Sequence, residues 1–559
     1  MDLKRKEMIM NRIFSSLLLL FIIRASVLGQ EIEFRYSKAD IDYNKYFSDS
    51  IYNQTIPNEE IYNLKPMLEV GVCVPNGGIY RLFNKFKWKE KSSKQLINIF
   101  PESPYTEKAP LIYNRYGWYS LESNKGDYKF DNIIEPFLIK AYNNNSRVIL
   151  GIASMCGESS HMSHTYKGRY MAIPDYLYEE LDQTQYPAYE DNTYGKGYTV
   201  NYDSPLLFKR YNKLLKSFSK WLDGNLKGTN IKRKDIIYAI EMRYMGYWGE
   251  GSVKSTYYPS TNLIDRYIDS YVKYFPDVLL IAGGQETLHL PTYENYIKNK
   301  DKAQYKVAMR HVYKLMTTKN KIGNIGMFID SWHKYSNQYD LNSRRIIMND
   351  NNEIISLANF LKEETWGNIY LTGEFGYLTT LSPKGDIPYS GIYQQFSTRH
   401  ISGISIHNLT VSDSHKQLKI SDEVYKNVKR CLSMMGYRLV FNSLSTHKHN
   451  DQLSISFCLK NIGVSKIFHD YYELHYIIKD NDDNIILDYS SDFDFRTIGS
   501  NKDEPLLYVK GGSIIQDFIP YKKGKLYLKI IDKKGIEHPM CLSNYGRIPD
   551  GSYYLTELK

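Results

Sequence analysis

Three glutamates sit where an apolar run gives way to a loop: Glu374 in Thr372-Gly-Glu-Phe375, and Glu241 and Glu250 at the two ends of Glu241-Met-Arg-Tyr-Met-Gly-Tyr-Trp-Gly-Glu250. Paired carboxylates are what cleavage of a glycosidic bond needs, one protonated to donate to the leaving oxygen and one ionised to attack the anomeric carbon or activate water. Glu374 follows a permissive glycine directly after its run and reads as the nucleophile. Glu250 follows Gly246-Tyr-Trp-Gly249, whose glycines let the backbone fold back, and is preferred as the acid. Glu241 competes for that role, or is a buried partner of Arg243. Arg115 is placed to hold the nucleophile ionised, because an adjacent guanidinium favours the charged carboxylate. Tyr116, Trp118, Asp330, Trp332, His407 and Asn408 fall at other run ends and Trp248 in the segment before Glu250; all are candidates for sugar contacts, with aromatic faces stacking on rings.

These residues share a site only if the runs before them are strands whose ends converge. Eight short apolar runs begin at Leu68, Leu111, Val148, Ile236, Val278, Ile325, Ile369 and Ile401. They alternate with amphipathic stretches, the pattern of buried parallel strands with crossover helices. The clearest helix is predicted after Ser204-Pro205, an N-cap and first-turn pair, with Phe208, Tyr211, Leu215, Phe218 and Leu222 at helical spacing. Asp131 is expected to cap another, running to about Tyr142. The alternation predicts an α/β fold, a (β/α)8 TIM barrel over 65–431, where loops at the C-terminal strand ends gather on one face. Val74-Pro-Asn-Gly-Gly78 is not the glycine fingerprint of an open dinucleotide-binding sheet.

From Gly436 period two takes over, as in Leu453, Ile455, Phe457 and Leu459, which predicts a C-terminal all-β sandwich over 432–559. Residues 30–64 read as an N-terminal arm. Before them, Lys4, Arg5, Lys6 and Arg12 precede the apolar run Leu17–Ile23 and the small residues of Ala25-Ser-Val-Leu-Gly29, the pattern of a signal peptide over 1–29. A secreted or periplasmic protein without an integral membrane segment is the expectation, since the run is shorter than the ~20 residues a spanning helix needs.

Of the 559 residues, 42% are hydrophobic and 24% charged, a globular balance that excludes disorder and coiled coil. Losing 1–29, with five Lys/Arg and two Asp/Glu, takes the formal charge from +10 to +7. The basic residues are interspersed with acids, which argues against a nucleic-acid partner. Five widely spaced cysteines suit neither a disulfide framework nor zinc, and His161-Met-Ser-His164 reads as a solvated loop pair, so no metal and no cofactor is expected. The 52 tyrosines suit a surface that grips wet, ring-shaped ligands.

Tyr113-Asn-Arg-Tyr-Gly-Trp118, then Leu121-Glu-Ser-Asn-Lys-Gly-Asp-Tyr-Lys-Phe-Asp131, Gly246-Tyr-Trp-Gly-Glu250, Thr372-Gly-Glu-Phe375 and Met435-Gly-Tyr-Arg-Leu-Val440 together resemble a secreted bacterial family, domain of unknown function 4832 with its 4874 partner upstream. The resemblance covers roughly 65–500 and implies a barrel like those of clan A glycoside hydrolases. There the acid/base and nucleophile follow strands four and seven and an arginine follows strand two, roles that Glu374 and Arg115 match by position. Strand four departs from the usual Asn-Glu, having Ile240-Glu241 and then Glu250. The expectation is a retaining glycoside hydrolase-like protein acting on a polysaccharide or glycan. The rival is a non-catalytic glycan-binding protein on the same scaffold, and a weaker third reading is a lyase using Tyr116 and His407.

Overall fold

The computed structural model describes residues 30–33, 80–83, 111–156, 162–191, 197–329, 344–361, 368–373, 400–405, 436–437, 439–461, 465–498, 512–540, 542 and 548–559. Eight strands pair in parallel: β1 (Tyr80–Phe83), β2 (Leu111–Gly117), β3 (Arg147–Ala153), β4 (Ile237–Met242), β5 (Leu279–Gly283), β6 (Gly326–Ile329), β7 (Leu371–Gly373) and β8 (Ile404–Ser405). Their order is β7-β6-β5-β4-β3-β2-β1-β8. Between the two outermost strands, the amides of Ser402 and Gly403 donate to the Leu371 carbonyl at 2.8 and 3.2 Å. The run Leu68–Val74, expected as the first strand, lies outside the described residues; the strand paired with β2 is Tyr80–Phe83.

The crossover segments hold α1 (Glu135–Asn143), α2 (Pro205–Leu222), α3 (Asp265–Tyr274) and α4 (Ala303–Thr317). In α2 the Ser204 hydroxyl accepts from the Leu207 amide at 3.3 Å, satisfying one of the helix's orphan donors. Leu207, Phe208, Tyr211, Leu214, Leu215, Phe218 and Leu222 are buried on one face of this helix. Each such apolar side chain contributes about 1.5–3 kcal/mol. Asp131 does not cap α1. It lies inside a separate short turn, Phe130–Ile133, and its carboxylate accepts from Trp221 Nε1 at 2.7 Å. A tertiary partner has taken the side chain that local sequence offers to the helix.

Period-two alternation gives the parallel sheet two faces. Val148, Leu150, Ile152, Ile240 and Leu280 pack with the helices, while Leu111, Tyr113, Ile149, Ala239, Leu279, Ile281, Phe328 and Tyr370 form a separate cluster on the other face. Among the described residues no helix is long and apolar enough to cross a membrane.

The C-terminal strands are β9 (Leu439–His449), β10 (Gln452–Asn461), β11 (Tyr472–Lys479), β12 (Ile485–Ser491), β13 (Gly512–Pro520), β14 (Gly524–Asp532) and β15 (Tyr553–Leu558). They form two four-stranded antiparallel sheets, and the strand Gln30–Glu33 completes the first by pairing with β9. The alternating residues Leu453, Ile455, Phe457, Leu459, Leu526, Leu528 and Ile530 are buried in one core shared by the two sheets.

This module meets the N-terminal end of the parallel strands. Phe468 joins the cluster of Tyr113, Ile149 and Tyr370, and the Tyr471 hydroxyl donates to the Ile237 carbonyl at 3.1 Å. Arg147, the first residue of β3 and wholly buried, is bidentate on Asp532 at 2.8 and 3.1 Å and reaches Glu537 at 3.0 Å. Its guanidinium carbon lies 3.7 Å from the centre of the Tyr471 ring.

Candidate functional site

At the opposite end of the strands, one rung of the sheet carries the charge. Arg115 on β2 and Glu241 on β4 are both in register with Gly151 on β3 between them. A Cβ at Gly151 would lie 2.7 Å from Arg243 Cγ and 3.3 Å from Glu241 Cβ, so the absent side chain is the space in which these groups meet. Glu241 is fully buried; its Oε2 accepts from Arg243 Nε at 2.9 Å and Nη2 at 2.8 Å, and from Arg115 Nε at 3.3 Å. Arg243 Nη2 also reaches the Tyr113 hydroxyl at 3.3 Å, and both guanidinium groups lie over Phe328, 5.0 and 4.6 Å from its ring centre.

Glu250 enters this cluster from the loop after β4. Gly246, Gly249 and Gly251 have φ of 80°, 70° and 86°, and the amides of Gly249, Glu250 and Gly251 bond back to the carbonyls of Gly246, Tyr247 and Met245, each at 2.9 Å. The backbone therefore doubles over the strand end, as the glycine spacing leads one to expect. Glu250, 4% exposed, accepts from Arg115 Nη1 at 2.6 Å and from Gln285 Nε2 at 3.3 Å, with Arg243 Nη1 at 3.5 Å. Trp248 holds φ of 51°, a left-handed conformation that costs a residue with a side chain about 1–3 kcal/mol and concentrates at functional sites. Its half-buried ring packs on Ala153, Cys156, Met162 and Ala172.

Among the described residues, two guanidinium groups and two carboxylates thus meet in a space almost closed to water. A carboxylate paired with a guanidinium is kept ionised and is a poor proton donor. This arrangement suits attack, activation of water or binding of a polar ligand.

Arg115, Glu241 and Glu250 are therefore brought together, with Glu241 tied to Arg243. Two expected sugar contacts are corrected. Tyr116 is 3% exposed on the helix-packed face, where alternation must place it once Arg115 faces the other way, and burial pushes its phenol well above the usual range. Trp118 is wholly buried, meets the Tyr211 ring edge-on at 5.3 Å and donates from Nε1 to Glu122 at 2.8 Å, so it packs the core. Glu374, Asp330, Trp332, His407 and Asn408 lie outside the described residues. His164, half of the expected loop pair, hydrogen-bonds to Asp175 at 2.6 Å and to the Met171 carbonyl at 2.9 Å. Among the described residues no three His, Cys, Asp or Glu side chains are grouped to hold a metal ion.

Sequence reasoning missed Gln285 and Glu286. The available signal was Gly283-Gly-Gln-Glu286 directly after the apolar run of β5, the same criterion that selected Glu374. Tyr113 and Gly151 gave no such signal, because each lies inside a strand.

No family model and no curated protein matches this chain. Among solved structures it is similar to the catalytic domain of a beta-amylase from Paenibacillus polymyxa, at 12% identity over 65% of this chain and 99% of that one, with a TM-score of 0.37. It is similar to endo-glycoceramidase II from Rhodococcus sp. at 11% identity over 79% and 97%, with a TM-score of 0.37. A family 39 glycoside hydrolase from Bacteroides cellulosilyticus WH2 matches at 10% identity over 74% and 79%, with a TM-score of 0.31.

Proposed function

We propose that this protein is a secreted glycoside hydrolase of the (β/α)8 barrel class, acting on a polysaccharide or glycan, with the barrel but not the carboxylate roles that its sequence resemblance implies. Closure of the barrel is supported by the unbroken parallel order from β7 to β8 and by the Leu371–Ile401 bridge between those two outer segments. The two C-terminal sheets around one core support a sandwich.

The observation that carries the functional reading is Arg115 on strand two bridging Glu241 and Glu250 at the end of strand four. Pairing with Arg115 makes Glu250 the ionised member of the catalytic pair, the nucleophile or the base. Proton donation then falls to Glu374, in Thr372-Gly-Glu-Phe375 after strand seven, which reverses the roles expected from sequence. Trp248, Asp330, Trp332, His407 and Asn408 supply contacts to the sugar.

The test is wild type, Glu250→Gln and Glu374→Gln on a glycan hydrolysis panel and a glycan array. Wild type should release sugar, and both variants should lose turnover while keeping binding. Only Glu374→Gln should recover rate on dinitrophenyl glycosides, whose leaving group needs no acid. A second reading, non-catalytic glycan binding, is favoured by one observation: both strand-four carboxylates are paired with guanidinium groups. Binding by all three proteins with turnover by none would establish it in place of the hydrolase.

A further inference from the structure

The backbone of Glu250 rests on the turn that follows β5. A Cβ at Gly283 would meet the carbonyl carbon and oxygen of Glu250 at 2.5 Å, and one at Gly251 would meet Glu286 Cγ at 2.2 Å. The two segments are thus in close contact, Gly283 against the Glu250 backbone and Gly251 against Glu286. The turn Gly284–His289 also delivers Gln285 to the Glu250 carboxylate, and His289 Nε2 donates to the Gly251 carbonyl at 2.8 Å. Burial keeps His289 neutral, lowered to about 4.

What holds the turn lies behind it. The Glu286 carboxylate accepts from the Tyr244 hydroxyl at 3.1 Å and pairs with His311 Nε2 at 2.7 Å. His311, on α4 and wholly buried, bonds through Nδ1 to Asp265 of α3 at 2.7 Å. One imidazole thereby ties together two crossover helices, the turn after β5 and, through Tyr244, the residue adjoining Arg243. With a carboxylate at each ring nitrogen, the doubly protonated ring makes two charge-assisted hydrogen bonds where a neutral ring makes one.

We propose that His311 is a positioning residue: held between Asp265 and Glu286, it fixes the turn on which Glu250 is set, so that Glu250 meets Arg115 in one geometry. Its catalytic consequence rests on the hydrolase reading above.

The experiment is a double-mutant cycle of His311→Gln and Glu250→Gln in the full chain, with Asp265→Asn in place of His311→Gln as a second, gentler cycle. Read by urea unfolding, the two changes should be non-additive, since non-additivity marks groups that act through one another. Additive effects in both cycles overturn the proposal. Read by kinetics on a substrate found in the panel, His311→Gln should lower kcat about 10²-fold per folded molecule, the scale of a misplacement near 1 Å, with KM changed by less than about twofold. An unchanged kcat per folded molecule also overturns it, because a purely structural brace would lower only the folded fraction. If wild type turns over nothing, the hydrolase reading fails on its own, and the unfolding cycles still decide whether His311 positions Glu250.

Discussion

Replacing Arg147 by Met should separate the two halves of the molecule. The arginine side chain and that of Asp532 are wholly buried and Glu537 is 2% exposed, so water cannot replace the lost guanidinium. The variant takes from Asp532 the guanidinium that holds it by two bonds, and takes one partner from Glu537. Asp532 keeps the amides of Lys534 at 2.8 Å and Glu537 at 3.1 Å, and Glu537 keeps the Tyr472 hydroxyl at 2.9 Å. These bonds cushion the charges without neutralising them. Removing one partner of a buried pair costs about 3–5 kcal/mol. Equilibrium urea unfolding, followed by tryptophan fluorescence and by circular dichroism, should show one shared transition in wild type and two in Arg147→Met. Arg147→Met combined with Asp532→Leu and Glu537→Gln should recover most of the loss. A single transition displaced by less than about 1 kcal/mol at pH 7, below the range for breaking a buried pair, would refute the reasoning.

The glycine loop and the buried histidine give two more expectations. Gly249→Ala puts a Cβ 2.3 Å from Arg243 Cβ at a φ of 70°, so it should move Glu250 from Arg115 and abolish turnover, while an alanine at Gly168, where nothing lies within 4 Å, brings only the strain of its φ of 75° and should leave turnover intact; equal activity of the two variants contradicts this. Burial pulls His311 down, but Glu286 and Asp265 outweigh it and raise it from 6.5 to about 9. A raised folded value means that its stabilisation is complete below about pH 6.5 and fades as pH rises through about 9. Wild type should therefore lose stability over that window by urea unfolding while His311→Gln does not, and parallel curves would count against it.

Ser204-Pro205 and the spacing from Phe208 to Leu222 were legible because a cap and an amphipathic stripe are written within one helix. The doubling back of Gly246–Glu250 was legible for the same reason: its hydrogen bonds close within the loop. Asp131 misled because Trp221, ninety positions away, competes for its carboxylate. Trp118 and Tyr116 misled because a strand end was treated as uniformly facing the site, when alternation and the following turn send them into the helix layer. Arg147 and His311 were silent for a related reason. Each is an ordinary member of its own strand or helix, and its meaning comes only from acids on elements that the local sequence does not mention.

The pairing of Gln30–Glu33 with β9 joins an early stretch of the chain to one more than four hundred positions later. Synthesis releases residues from the N-terminus first, so this segment emerges with open amides and carbonyls and must wait for its hydrogen-bonding mate until Leu439–His449 has been made. During that wait it is an unprotected template for association with other chains. Preparations trimmed past Glu33 would bare the flank of β9 instead, and should give less soluble material than the full chain.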